Sequence, residues 1–143
     1  MSTSASIDFK FSSINLVNLI SELITAGWNL NDYGKISYLP IGDIDFDWES
    51  EELMSIEKVI NILKTKEVKK ETLGIVLLWK DEGIGIVLNG FPKENTVSLL
   101  LSINRKVIAS TQLTDFTWYL ERLSLSFQSQ NVETVACYHS ALG

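Results

Sequence analysis

The chain has 143 residues, of which 45% are hydrophobic and 21% charged, and this composition predicts one globular domain over residues 1–143. Eighteen acids and twelve bases give a formal net charge of -6. This balance argues against nucleic-acid binding, which needs clustered lysines and arginines. No apolar run approaches the roughly 20 residues of a membrane span, so we expect no membrane partner. One cysteine and no signal-peptide pattern predict a cytoplasmic protein.

The first part of the chain predicts a strand, a helix and a second strand. Apolar and polar residues alternate over residues 5–11, which predicts the first strand. The period then changes to that of a helix, with Ser12 or Ser13 as the N-cap and Gly27 just past the C-terminus. Residues 33–39 predict the next strand. The tryptophan between these two elements, Trp28, borders a polar turn and is a candidate for an exposed contact residue.

A second helix is predicted from about Ser50, since apolar residues recur at helical spacing through Leu63. The remaining pattern predicts strands at 73–80, 84–89 and 96–104, a possible short strand at 107–111, a third helix capped by Thr114 or Asp115, and a last strand at 132–139. The order β-α-β-α-β-β-β-α-β predicts an α+β fold, in which a mostly antiparallel sheet of about five to six strands packs with three helices.

Acidic residues are concentrated in one part of the sequence. Between Lys35 and Lys58 there are seven acids and no base, so the rest of the chain is nearly neutral. Acids that alternate with aromatic residues can bind a basic cleft of another protein. The candidate partner-binding residues are Asp43, Asp45, Phe46, Asp47, Trp48, Glu49, Glu51 and Glu52. We call residues 43–52 the acidic segment.

Other interpretations of the acidic segment remain open. It is also consistent with a solvated loop, or with a short edge strand whose inward face carries Ile44, Phe46 and Trp48. A calcium loop needs Gly at its sixth position and a bidentate Glu at its twelfth, where this chain has Trp48 and Met54. A catalytic carboxylate cluster would need a basic or metal-binding partner nearby, and the only histidine is about ninety residues away.

Cys137 and His139 lie two residues apart on the last predicted strand and face the same way, which suggests a thiol–imidazole pair. Same-face neighbours on a strand are about 7 Å apart, and an effective dyad needs direct contact and an orienting group. We therefore interpret Cys137 as a buried structural residue and His139 as a surface or capping residue. With no catalytic set, cofactor loop or metal motif, we expect neither an enzyme nor a bound cofactor or metal.

In size, acidity and general build, the chain resembles the bacterial immunity proteins that neutralise toxins of contact-dependent growth inhibition and related polymorphic toxin systems. The resemblance implies a stoichiometric inhibitor, a monomer when free, that binds a cognate and basic toxin domain such as a nuclease in the cytoplasm. Two alternatives belong to other classes. One is an acidic secretion chaperone that binds an effector segment, and the other is a small enzyme with a Cys/His or carboxylate site.

Overall fold

The computed structural model describes residues 2–142. Its helices and strands confirm the α+β class and the three predicted helices, and the sheet has eight strands rather than five to six. The elements are β1 (Ser2–Phe11), α1 (Leu16–Ala26), β2 (Trp28–Asn29), β3 (Lys35–Tyr38), β4 (Glu49–Glu52), α2 (Ile56–Val68), β5 (Leu73–Trp79), β6 (Gly85–Phe91), β7 (Thr96–Ile103), α3 (Phe116–Gln128) and β8 (Val132–Leu142).

The strands form one antiparallel sheet in the order β4-β3-β5-β6-β7-β1-β8, and β2 also pairs with β5. The middle of this order is the meander β5-β6-β7, whose strands are consecutive in the chain. The first strand pairs with β7 on one side and with the last strand on the other. The sheet therefore ends in β4, which lies within the acidic segment, and in β8, which carries Cys137.

One face of the sheet packs against the three helices. The register places Ile7, Leu99 and Leu88 opposite one another on neighbouring strands, and all three are fully buried. Leu19 of α1 and Leu123 of α3 belong to the same core. Burial of these apolar side chains away from water is the main favourable contribution to folding.

The second face of the sheet carries the alternate residues of each strand. Asp8 and Ser98 are opposite each other there, and the Ser98 hydroxyl donates a hydrogen bond of 2.7 Å to the Asp8 carboxylate. Their neighbours include Leu100, which is 39% exposed, and Tyr138, which is 55% exposed. Within residues 2–142 the helices pack on the opposite face, so this face carries both polar and apolar residues and is partly open to solvent.

Caps define the ends of the first and third helices. Helix α1 begins two or three residues later than predicted, because Asn15 rather than a serine is the N-cap. The Asn15 side-chain oxygen accepts a hydrogen bond of 3.0 Å from the Asn18 N–H. Gly27 ends it with a φ of 128°, a conformation that residues with a Cβ rarely adopt. Asp115 caps α3 as predicted, through the Trp118 N–H at 3.2 Å.

The second helix differs most from the prediction. Residues 49–52 form β4, residues 53–55 form a single 3-10 turn, and α2 begins at Ile56. The glutamates of this stretch are good helix formers, but β4 pairs along its whole length with β3, so tertiary pairing overrides the local preference. The predicted strand at 107–111 is reduced to an isolated bridge between Val107 and Thr114.

The prediction for Trp28 is wrong. Trp28 is not exposed: it is 1% accessible, and its indole N–H donates to the Arg122 carbonyl at 3.2 Å. The sequence places it after Gly27 in a polar context, yet β2 pairs with β5 and so places it in the core beside Trp79.

For residues 2–142, no helix combines the length and apolar character that a membrane crossing requires.

Candidate functional site

The acidic segment leaves the sheet at the end of β3, forms a loop, and returns as the edge strand β4. Its loop residues 44–48 are exposed, and Asp43 is half-buried. Ile44 is 86% exposed and Phe46 is 49% exposed, which excludes the interpretation that these two residues form the inward face of a strand. The segment therefore presents acidic and large apolar side chains together at one end of the sheet.

A tight turn inside the segment holds Phe46 in place. The Asp43 carboxylate accepts hydrogen bonds from the Phe46 N–H at 3.0 Å and from the Asp47 N–H at 2.8 Å. Phe46 has a φ of 56°, in the left-handed region that is unfavourable for a bulky residue. Such a conformation persists only where its surroundings impose it, and the two bonds to Asp43 do so here.

Two contacts with helix α2 and the residues after it fix the start of this loop. The buried ammonium of Lys66 donates to the Pro40 carbonyl oxygen at 2.5 Å. The Glu71 carboxylate accepts from the Gly42 N–H at 2.7 Å, and it lies 3.9 Å from the Lys66 Nζ. Burial lowers the pKa of Lys66, and the charge of Glu71 partly offsets that effect.

Trp48 connects the end of the loop to the second face of the sheet. A Cβ atom added at Gly74, on the central strand β5, would lie 2.8 Å from the Trp48 ring and 2.6 Å from Leu39. The ring therefore packs directly over a glycine that leaves room for it. Trp48 is nevertheless 37% exposed, so one edge of the indole remains available to a partner.

The glutamates of β4 point to both sides of the sheet. Glu49 and Glu51 are opposite Tyr38 and Ile36, whose side chains belong to the helix-covered core, whereas Glu52 is opposite Lys35 on the other face. Glu51 pairs with Lys58 of α2, with 2.6 Å between carboxylate oxygen and Nζ.

This hydrogen bond and ion pair hold the pKa of Glu51 below and that of Lys58 above their ordinary values. Among the acidic side chains of the eight predicted residues, Asp43 is thus held in its turn and Glu51 is paired with Lys58. For residues 2–142, Asp45, Asp47, Glu49 and Glu52 are not part of an ion pair.

The side of the loop that faces the β6–β7 turn is less acidic than the sequence suggests. A cleft of about 420 Å³ lies between them, lined by Ile44 and Phe46 on the loop and by charges of both signs across it, among them Lys70, Lys93 and Glu94. These lysines come from distant parts of the sequence. The free negative charge of the segment therefore lies mainly with Asp45, Asp47, Glu49 and Glu52.

Sequence reasoning missed an apolar group beside β4. Leu53 is 40% exposed, Met54 84% and Ile56 39%, because the 3-10 turn carries them away from the core. The helical pattern placed Leu53 and Ile56 on a buried face with Val59, and only Val59 is fully buried. The indication of this group in the sequence was Met54, an apolar residue on the otherwise polar side of the predicted helix.

Cys137 and His139 lie on β8, at the opposite edge of the sheet. Cys137 is exposed, so the expectation of a buried structural cysteine is wrong; as β8 is an edge strand, its side chains lack a neighbour on one side. Partial desolvation raises the pKa of the thiol. The His139 Nδ1 faces Thr114, 3.3 Å from its backbone nitrogen and 2.8 Å from its Oγ1, consistent with a capping residue.

Residues 2–142 contain no group of three or more His, Cys, Asp or Glu side chains that would hold a metal ion. Comparison of the chain with protein-family models, with curated proteins and with solved structures found no match.

Proposed function

We propose that this chain is a stoichiometric inhibitor of the immunity-protein type, which binds a basic toxin domain in the cytoplasm through the acidic segment. The observation that carries the proposal is Phe46, an aromatic residue that is half exposed on a turn held by Asp43. Its neighbours in the chain are Asp45 and Asp47, which form no ion pair within residues 2–142. An apolar anchor with charges around it is the usual composition of a protein-binding hot spot.

The anchoring of the loop supports this function energetically. The contacts of Lys66 with Pro40, of Glu71 with Gly42 and of Trp48 with Gly74 fix the loop before any partner binds. A preorganised loop loses less conformational entropy on binding than a flexible one, so more of the contact energy appears as affinity. The proposed role requires no catalysis and no cofactor, since blocking a partner's active site needs only tight binding.

The charge distribution supports a basic partner. Because the free acids lie at one end of the sheet, they attract a basic protein toward that end and speed the encounter, an effect that salt weakens. The exposed group of Leu53, Met54 and Ile56 continues the surface past β4 and offers apolar area that a partner would cover.

The proposal expects the reading frame next to this one to encode a toxin, and the test expresses the isolated toxin domain of that protein. Wild type is expected to bind it in a one-to-one ratio and to abolish its toxicity. The double variant Asp45→Lys and Asp47→Lys should weaken binding by about 100-fold at low salt and flatten the salt dependence. Phe46→Ala should weaken it by about 30-fold, with little change in the association rate.

A matched control distinguishes local contact from net charge. Glu82→Lys with Glu121→Lys changes the net charge by the same amount at exposed positions in the β5–β6 turn and in α3, outside the acidic segment. This control should change affinity only a few-fold. Unchanged affinity and salt dependence in the Asp45 and Asp47 variant would reject the acidic segment as the binding surface.

The two alternative functions make different predictions. A secretion chaperone would bind an unfolded effector segment rather than a folded toxin domain. An enzyme that uses Cys137 would lose turnover on alkylation of that thiol, whereas an inhibitor that binds through the acidic segment would keep its affinity after the same treatment.

A further inference from the structure

The last strand presents a long edge of the sheet. Strand β8 (Val132–Leu142) pairs with β1, and in the described chain its other side has no strand beside it. It has eleven residues, whereas the opposite edge strand, β4, has four, three of them glutamates. Short charged edges resist pairing with other chains, and long uncharged ones favour it.

Most of the features that usually prevent an edge strand from pairing with other chains are absent from β8. The strand contains no proline and no lysine, and Glu133 is its only acid. A shift in register opposite Lys10 and Phe11 disturbs only its beginning. Val135 is 46% exposed and Tyr138 is 55% exposed, so apolar area accompanies the free backbone groups. The strand is therefore suited to pair with another strand.

Symmetry restricts how two copies of β8 can pair. Val135 and Cys137 are opposite Phe9 and Ile7 and so lie on the helix side, while Ala136 lies on the other face opposite Asp8. If a two-fold axis runs perpendicular to the sheet, the helices of both copies stay on one side and each residue meets a residue of its own face. The axis must then pass between the two copies of one residue, which are opposite each other.

The charges of β8 select one of these registers. With the axis at Ala136, Glu133, the bulge residue between Val132 and Thr134, comes next to His139 of the second copy, and this contact occurs twice. With the axis at Val135 or Cys137, Glu133 instead meets Cys137 or Ala141. Because the His139 Nδ1 accepts from Thr114, the neutral ring carries its proton on Nε2, which is then the atom that donates to a carboxylate.

We propose that the chain forms a two-fold symmetric dimer in which the β8 strands of two copies pair antiparallel about Ala136. Five residues of each strand, 134–138, pair regularly, which corresponds to about 17 Å of paired strand, and Glu133 and His139 flank this stretch. The two sheets join into one of twice eight strands. This arrangement replaces the sequence-based expectation of a monomer, and it leaves the acidic segments free at the two outer ends.

The first test measures mass in solution by analytical ultracentrifugation. Wild type should sediment as a dimer of about 32 kDa, twice the 16.1 kDa chain, over the micromolar range. Ala136→Lys places two lysines opposite each other on the axis and should weaken the dimer by about tenfold or more. In the single chain this lysine lies beside Asp8, so the fold should be retained.

Ser102→Lys is the matched control, since Ser102 is an exposed residue of β7 away from the edge, and this variant should remain dimeric. A wild type that stays monomeric throughout the micromolar range, or an Ala136→Lys variant that is as dimeric as wild type, would overturn the proposal.

A charge exchange tests the register. Glu133→Lys alone and His139→Glu alone should each weaken the dimer, because each places like charges or an unpaired charge at two symmetric positions. The double variant should recover most of the lost affinity, since the lysine introduced at position 133 then meets the glutamate introduced at position 139 of the other copy. A merely structural role for these residues predicts additive losses instead, and additive losses would contradict the register.

Cross-linking gives an independent measure of the same register. In the variant Val135→Cys, the new thiol lies opposite Cys137 of the second copy, so mild oxidation should yield a covalent dimer linked between positions 135 and 137. Efficient oxidation of the wild type through Cys137 of both copies would instead place the axis at Cys137 and reject the proposed pairing.

Discussion

The ammonium of Lys66 lies 2.5 Å from the carbonyl oxygen of Pro40, with its side chain completely buried. This contact joins the third turn of α2 to the residue from which the acidic segment departs. Removal of the whole side chain leaves a cavity and takes the shorter of two hydrogen bonds from the Pro40 carbonyl, which keeps the Asp43 N–H as a donor at 3.3 Å. Lys66→Ala should therefore lower the free energy of unfolding by about 2–4 kcal/mol. Urea denaturation measures the change.

Lys66→Met separates packing from hydrogen bonding. Methionine fills most of the same volume without the charge, so the loss should be below about 1.5 kcal/mol. The loop should nevertheless loosen, with faster hydrogen exchange at Gly42 and Asp43. Lys64→Met, at an exposed position of the same helix, should change stability by less than about 0.5 kcal/mol. Equal losses for the Ala and Met variants would contradict this account.

Lys66 also predicts a pH dependence. Its folded pKa is lowered from 10.5, so between the lowered value and 10.5 the unfolded chain binds a proton that the folded protein does not. Stability of the wild type relative to Lys66→Met should therefore rise with pH over this window. The raised pKa values of Tyr38 and Tyr119 act in the opposite sense, but they are common to both proteins and cancel in the difference. A falling difference would show that the lysine is stabilised in its charged form.

Glu67 links helices α1 and α2. Its two carboxylate oxygens accept from the backbone N–H groups of Leu16 and Val17, the second at 3.1 Å, and so cap the N-terminus of α1 from a neighbouring helix. Glu67→Ala should cost about 1–2 kcal/mol, with Glu67→Gln intermediate because one acceptor oxygen remains. Thermal denaturation checks this. The same change at Glu121, an exposed residue of α3, should have little effect.

Gly74 leaves the space that Trp48 and Leu39 occupy. Gly74→Ala places a Cβ within 2.6 Å of Leu39 and 2.8 Å of Trp48, and should destabilise the fold by about 1–3 kcal/mol. The substitution should cost less when Leu39 is also replaced by Ala, because one of the two close contacts is then removed. A double-mutant cycle in urea measures this coupling. Additive losses would mean that the clash is relieved elsewhere.

Cys137 should react with iodoacetamide in the native protein, since it is exposed, but more slowly than free cysteine because its pKa is raised. The measurement is best made in the Ala136→Lys variant, in which the edge stays open. His139→Gln should leave the rate unchanged, because the His139 Nδ1 faces Thr114. An alkylation rate that falls with this substitution would show that His139 activates the thiol and would support the thiol–imidazole pair.

The sequence by itself determined the α+β class, the three helices, most of the strands and the single cluster of acids. These follow from periodicity, caps and charge counts, which act over a few neighbouring residues. The cap at Asp115 is of this kind, since its carboxylate bonds an N–H three residues away.

Only the tertiary structure decided the rest. Residues 49–52 have helical preferences, yet pairing with β3 makes them an edge strand, and Trp28 is buried because β2 lies against β5. The same holds for the candidate site: the outward position of Phe46 depends on contacts of its loop with Lys66, Glu71 and Gly74. Strand pairing and packing join residues that are distant in the chain, and a local pattern does not contain that information.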